Sequence, residues 1–279
     1  MKLNYGFEII DVNLGNFSRQ AMAIITLTTD LGHKDFYIAA VKAKLIESIS
    51  EANIIDVSHV IEPFNIIEGA FILGAVFEEF PPGTIHLVGV HTSIKSKRHL
   101  IVKKADHYFI GPDNGIFSLM FKGDYDELFE MIIEGDTDAM FSFPLKELYV
   151  KLAAFIATGG ALDGICEKTT QMHELMAVNP IRRGNMIQGS VIHIDNYGNA
   201  IINVTLDLFT QVGNGFPFRI HYRRKEFIDY ICTDYADVPE GEVLAIFGDA
   251  GYLQIAINKD KAADLLGLSK GTQIQIEFI

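Results

Sequence analysis

Four short stretches of the chain carry side chains that can do chemistry on a small polar ligand. TTDLGHKD, residues 28–35, places Asp30 directly after an apolar, β-branched run. In an open parallel sheet ligands gather at the carboxyl ends of strands, where a carboxylate can accept two hydrogen bonds from a ribose diol. The same residue also has the type and position of a helix N-cap, and the residues alone leave both roles open. IDNYGN, residues 194–199, packs a carboxylate, an aromatic ring and two amides into six positions, Asp195, Tyr197 and Asn199 among them. GDAGYLQIAIN, residues 248–258, combines the Gly-flanked Asp249 with an aromatic and a late amide, Asn258. By composition alone both also suit hairpin turns. VGVHTSIKSKRHLIV, residues 88–102, opens as a buried strand and then fills its turn with Thr, Ser, Lys and His, where a ligand-approaching loop is expected to carry Gly or Pro.

Other chemistries lack their motifs. No GxxxxGK[ST] phosphate loop is present, and no GxGxxG follows the first strand. The nine histidines show neither HExxH nor an i, i+4 pair, so no metal site is predicted and no cofactor is called for.

The elements that must position these stretches alternate. AIITLTT reads as a strand, DFYIAAVKAKLIESI as a helix, NIIDVSH as a strand, NIIEGAFILGAVFEEF as a helix and TIHLVGV as a strand. ELYVKLAAFIATGG reads as a helix ending at two glycines, and the run after it, through IRRGN, as a linker. This is an α/β layer with a mostly parallel sheet. Past Asn185 the chain turns to short alternating runs between Gly, Asn, Asp and Pro turns, which predict an antiparallel, barrel-like β domain. The expected organisation is an N-terminal extension over 1–22, an α/β domain over 23–180 and a β domain over 181–279.

Composition bounds the function. The 279 residues are 49% hydrophobic and 21% charged, near the globular average, and the longest apolar runs fall well short of the roughly 18 residues of a membrane span. The formal net charge of -13 argues against a nucleic-acid partner, since such binding needs clustered basic surface, and KSKRH and HYRRK read as solvated loops. The N-terminus lacks the pattern of a secretory signal, and Cys166 and Cys232 lie far apart without a CxxC. A cytoplasmic location is expected.

Taken together, TTDLGHKDFYIAAVKA, DVSHVIEPFNIIEGA, YFIGPDNG, IDNYGNAIINV and GYLQIAIN resemble, in order, the motifs of the S-adenosyl-methionine hydroxide adenosyltransferase family. Its relatives include a fluorinase and a chlorinase that attack the same substrate with halide. The resemblance implies a homotrimer whose ligand lies between one subunit's N-terminal domain and its neighbour's C-terminal domain. It implies that Asp30 holds the ribose hydroxyls, that Phe64 walls the reacting carbon, and that Asp195 meets the methionine ammonium. Tyr197 is then placed near the adenine, Asn199 on its edge, and Asn258 on the conserved Asn of the last signature. Asp249 falls where relatives often carry a Ser for the substrate carboxylate, a departure that puts like charges together.

The opening stretch departs further. Water-using members carry Asp-Pro-Gly-Val-Gly-Thr-x-Arg here, and an Asp, an Arg and a His act together on the attacking water. This chain has His91 at the Asp position, Thr92, Ser93 and Lys95 for the Pro and two glycines, and Arg98 for the Arg. The third member's segment best matches FPLKE, which puts Pro144 at the His position. The resemblance therefore implies S-adenosyl-methionine or adenosine binding, with hydrolysis to adenosine and methionine at a diverged site resting on His91 and Arg98. A non-catalytic binding protein is the alternative, and a halide-using transferase a remote one.

Overall fold

The computed structural model describes residues 23–92, 98–131, 143–176 and 178–279. The expected extension, residues 1–22, lies outside them.

Among the described residues the first half is built on seven strands: β1 (Ile24–Thr29), β2 (Asn53–Ser58), β3 (Ile85–Gly89), β4 (His99–Lys104), β5 (His107–Pro112), β6 (Glu127–Met131) and β7 (Cys166–Lys168). Their order is β2-β1-β3-β5-β4-β6-β7. β2, β1, β3 and β5 pair in parallel, while β4 and β7 run against their neighbours. Among the described residues four helices flank this mostly parallel mixed sheet: α1 (Tyr37–Ser48), α2 (Ile66–Gly74), α3 (Ile116–Phe121) and α4 (Val150–Ala157).

Two-residue periodicity splits the strands between two cores. Ile25, Leu87 and Ile101 face α1 and α4, whereas Val88, Leu100 and Val102 face α2 and α3. α1 buries Ile38, Val41 and Leu45, spaced as one helical stripe.

The second half holds β8 (Ile181–Arg183), β9 (Met186–Ile194), β10 (Ala200–Thr205), β11 (Phe218–Arg223), β12 (Glu226–Ile228), β13 (Val243–Phe247), β14 (Tyr252–Ile257) and β15 (Gln273–Phe278), with α5 (Leu206–Gly213) and α6 (Ala262–Leu266). The antiparallel order β12-β11-β15-β9-β10-β14-β13, with β8 added on β9, curls into a nearly closed barrel. Cys232 N–H donates to Ala245 O (2.8 Å) and brings the chain after β12 to β13 at the seam. Ile187, Ile202, Ile255, Ile274 and Ile276 fill the interior.

Three local expectations change. IRRGN is not a linker: Ile181–Arg183 pairs with β9 across a turn at Gly184, whose φ of +59° suits glycine. The second helix stops at Gly74 and continues only as a single 3-10 turn, Phe77–Glu79. In NAIINVTLDLF the strand ends at Thr205, whose hydroxyl accepts from Leu208 N–H (3.2 Å) and starts α5. Among the described residues no helix is long and apolar enough to cross a membrane.

Candidate functional site

The chain leaves β1 through α1 to β2 on one side and returns through α2 to β3 on the other. The carboxyl ends of β1 and β3 therefore flank the point where strand order reverses, the crevice that open α/β sheets offer to ligands. Asp30 follows β1 and His91 follows β3. Asp30 Oδ2 accepts two backbone N–H bonds, from Phe64 (2.9 Å) and from His91 (3.0 Å). Both donors have left-handed backbones, φ +68° at Phe64 and +48° at His91. Such a conformation costs a non-glycine residue roughly 1–2 kcal/mol, and a hydrogen bond to a charged group contributes roughly 1.5–3 kcal/mol, so one carboxylate oxygen can hold both turns. The two rings meet edge to face, centroids 5.3 Å apart, with Phe64 69% exposed at the rim.

Asp30 is not a helix cap. α1 begins at Tyr37 behind Phe36, which makes no side-chain capping bond. Oδ1 of Asp30 receives no hydrogen bond from the described residues and remains able to accept from a ligand.

A buried relay sets the turn that carries Asp30. Thr29 Oγ1 lies 2.8 Å from His59 Nδ1, His59 Nε2 lies 3.0 Å from Asp56 Oδ1, and Gly32 N–H donates to His59 O (2.7 Å). The Nε2 contact is within ion-pair range but not aligned as a hydrogen bond. Burial pushes the His59 imidazole below its usual range, against the pull of Asp56. The buried hydroxyls of Thr28 and Thr92, one on β1 and one beside His91, have no hydrogen-bond partner among the described residues.

The Pro-Asp-Asn-Gly turn after β5 supports the other side. Asn114 Nδ2 donates to Val90 O (3.0 Å) and to His91 O (3.4 Å), and so shapes the backbone on which His91 sits. Asp113 Oδ2 pairs with Arg98 Nη1 (3.1 Å), while its Oδ1 accepts from His173 N–H (2.6 Å). Arg98 Nη2 also meets Glu130 Oε2 (2.8 Å) and Gln171 O (3.0 Å). Glu130 first, then the nearby charge of Asp113, holds the guanidinium in its charged form more firmly than usual. Arg98 lines an open groove of about 930 Å³ together with Asp113, Lys122 and His173. Ser93 and Lys95 lie outside the described residues. Pro144 opens the turn that leads into α4.

In the barrel, Asp195 closes its own loop. Its Oδ1 accepts from the N–H groups of Tyr197 and Asn199 (2.9 Å each), and its Oδ2 accepts from Asn199 Nδ2 (2.9 Å). This Asx turn buries Asn199 and leaves Tyr197 76% exposed. Asp249 sits exposed in the turn joining β13 to β14, while Asn258 lies at the other end of that hairpin. Asn258 Nδ2 donates to Val238 O (2.7 Å) and ties down the chain entering β13.

Tyr235, missed in the sequence, stands near both acids. Its hydroxyl donates to Gln254 Oε1 (3.0 Å), and its phenol is pushed up by burial and then by the charges of Asp195 and Asp249. The signal that could have found it is the D-x-x-D capping box, in which Asp234 and Asp237 hold the helical turn that presents the ring.

The structure thus brings Asp30, Phe64 and His91 together on the first sheet. No hydrogen bond, ion pair or ring contact among the described residues joins these three to Asp195, Tyr197, Asn199, Asp249 or Asn258. Nor do the described residues contain a group of three or more His, Cys, Asp or Glu side chains arranged to hold a metal.

A switch-point crevice walled by strained, carboxylate-anchored turns, followed by an antiparallel barrel, defines an α/β ligand-binding protein with a β companion. The chain belongs to the SAM hydroxide adenosyltransferase family: the family's N-terminal domain matches residues 25–166 and its C-terminal domain residues 189–275. It is similar to the (R)-S-adenosyl-L-methionine hydrolase of Methanocaldococcus jannaschii, 29% identical over 91% of this chain and 96% of that one. The hydrolase of the same name from Thermus thermophilus is 25% identical, over 91% of this chain and all of that one. A fluorinase from Actinopolyspora mzabensis is 22% identical over 91% and 96%. Among solved structures, an uncharacterized conserved protein from Thermotoga maritima matches with a TM-score of 0.81 at 27% identity, covering 91% of this chain and 99% of that one.

Proposed function

We propose that the protein binds S-adenosyl-methionine and hydrolyses it to adenosine and methionine by displacement at the ribose 5′ carbon, from a diverged catalytic site. The observation that carries this reading is the Asp30 hub: one carboxylate oxygen fixes Phe64 and His91, and the other remains available to a ribose diol. Relatives named as (R)-S-adenosyl-L-methionine hydrolases, similar over most of both chains, support it.

The sulfonium makes methionine a good leaving group, so the protein's task is to hold water in line and exclude competitors. Positioning of this kind supplies on the order of 7–11 kcal/mol, and acid-base assistance a further ~10²–10⁴-fold. Phe64 walls the 5′ carbon, and the His91 imidazole takes the proton from the attacking water. Asp195 accepts a hydrogen bond from the substrate ammonium at the one Oδ2 site its Asx turn leaves over, Tyr197 stacks near the adenine and Asn199 meets its edge. Asp249 turns its side chain away from the substrate carboxylate, which it would otherwise repel. Asn258 acts through the turn it holds. The functional unit is a homotrimer of chains with an α/β domain over 23–180 and a β domain over 181–279, and the exposed Tyr197 and Phe64 are the faces it joins. Cys166 and Cys232, free and buried, suit a reducing, cytoplasmic setting.

A binding protein with little chemistry is the second reading, favoured by the ion pairs that engage Arg98 and by Pro144 at the third catalytic position. Product analysis after incubation with S-adenosyl-methionine decides between them. Adenosine with methionine supports hydrolysis, and binding without turnover supports the second reading. A halogenated nucleoside formed in the presence of halide would overturn both.

A further inference from the structure

The segment Glu62–Asn65 is a tight turn with an ill-suited residue at its third position. Asn65 N–H donates to Glu62 O (2.9 Å), Pro63 takes the second position, and Phe64, at φ +68°, sits where such a turn favours glycine. Its strain is held from one side by Asp30, as described above.

The other side is held from the barrel. Lys270, in the loop before β15, places Nζ 3.3 Å from Glu62 Oε2 and 3.2 Å from Glu68 Oε1. Glu68, whose side chain is 10% exposed, spends its other oxygen on Glu62 N–H (3.0 Å), and Oε1 also lies 3.2 Å from His193 Nδ1 on β9. Asn65 completes the cage: its Nδ2 donates to Glu62 Oε2 (3.1 Å), and its Oδ1 accepts from Glu68 N–H (3.1 Å), capping α2. Glu62 is thus gripped at its backbone by Glu68 and at its carboxylate by Lys270 and Asn65, two residues before Phe64.

We propose that Lys270, acting through Glu62 and Glu68, is a positioning residue that holds the strained Phe64 turn in its site conformation, so that the barrel sets the shape of the crevice on the other sheet of the same chain. Without the clamp, the turn relaxes toward a conformation that Phe64 prefers, and the ring leaves His91. The effect on ligand affinity rests on the proposed function; the effect on the turn does not.

The chain has no tryptophan, so Phe64→Trp introduces a single fluorescent reporter at the turn. In that background Lys270→Met is expected to lower the steady-state anisotropy of the reporter and increase its quenching by acrylamide, and Lys270→Arg to restore both. In the otherwise natural chain Lys270→Met is expected to weaken adenosine binding by about fivefold in calorimetry, on the scale of the strain released, with Lys270→Arg recovering most of it. A core variant of the barrel, Ile276→Val, lowers stability without touching the clamp and should move neither readout. Glu62→Ala removes the same contact at an exposed carboxylate and serves if Lys270→Met does not fold. Unchanged reporter signals in a folded Lys270→Met or Glu62→Ala protein overturn the proposal whether or not adenosine binds. A natural chain that does not bind adenosine, alongside a loosened reporter, overturns only the functional reading.

Discussion

Asp30→Ala removes an acceptor shared by two left-handed residues, so its cost is larger than that of one lost ligand contact. Adenosine affinity should fall by at least tenfold, since each bond to the carboxylate contributes roughly 1.5–3 kcal/mol, and calorimetry showing unchanged affinity would remove Asp30 from the site. His91 gives a kinetic signature: His91→Ala removes the base and should lower the rate by ~10²-fold or more, while leaving affinity within a few fold. A His91→Ala protein with the original rate would remove His91 from the chemistry. At this scale the sequence was partly legible. Asp30 was visible as an acid after a strand, but its hub role was not, because its two partners are distant in the chain and meet only once the sheet order is set. Tyr235 and the Glu68–Lys270 clamp were invisible for the same reason: a charge or a ring in a polar turn looks solvated until the fold supplies its neighbours.

The central strands carry buried histidines, and these predict how the elements respond to acid. His86 on β3 contacts Thr26 Oγ1 (2.7 Å) and His107 Nδ1 (3.1 Å), and burial pushes its imidazole down to about 3. His99 on β4, bonded to the Tyr149 hydroxyl (2.7 Å), is pushed by burial down to about 4. The unfolded chain binds these protons near pH 6.5 and the folded chain does not, so stability is full above 6.5 and declines as pH falls below it, by about 2 kcal/mol per residue at pH 5. Glu68 acts in a lower window. Contact with His193, the Glu62 N–H and Lys270 hold its carboxyl at about 2, so its contribution, on the order of 3 kcal/mol, persists above pH 4.5 and is lost below it. Thermal unfolding should show a falling midpoint between pH 7 and pH 5, with a shallower slope in His86→Asn; a flat midpoint across that range would contradict the assignment. Element identity was legible where apolar spacing was clean, as in α1 and β3. It failed where local capping or pairing decides, as at Thr205 and in IRRGN, whose two arginines hide an edge strand that faces solvent.

The molecule as a whole is two sheets, one offering a switch-point crevice and the other a set of polar turns, bridged within the chain by Lys270 and Glu68. The fold class was readable from the change in texture after Asn185, since parallel βα units and short alternating strands bury different patterns. The expected trimer rests on the resemblance alone, because composition and spacing do not record which exposed rings a second copy would cover. The proposed trimer predicts three chain masses in light scattering at working concentration, and a monomer would remove the composite pocket. The central claim is that water displaces methionine at the ribose 5′ carbon. Its most direct test is to incubate the protein with S-adenosyl-methionine in water enriched in oxygen-18 and to locate the label by mass spectrometry. The account predicts adenosine labelled at its 5′ hydroxyl with unlabelled methionine; label in any other product, or no adenosine from a protein that binds the substrate, would contradict it.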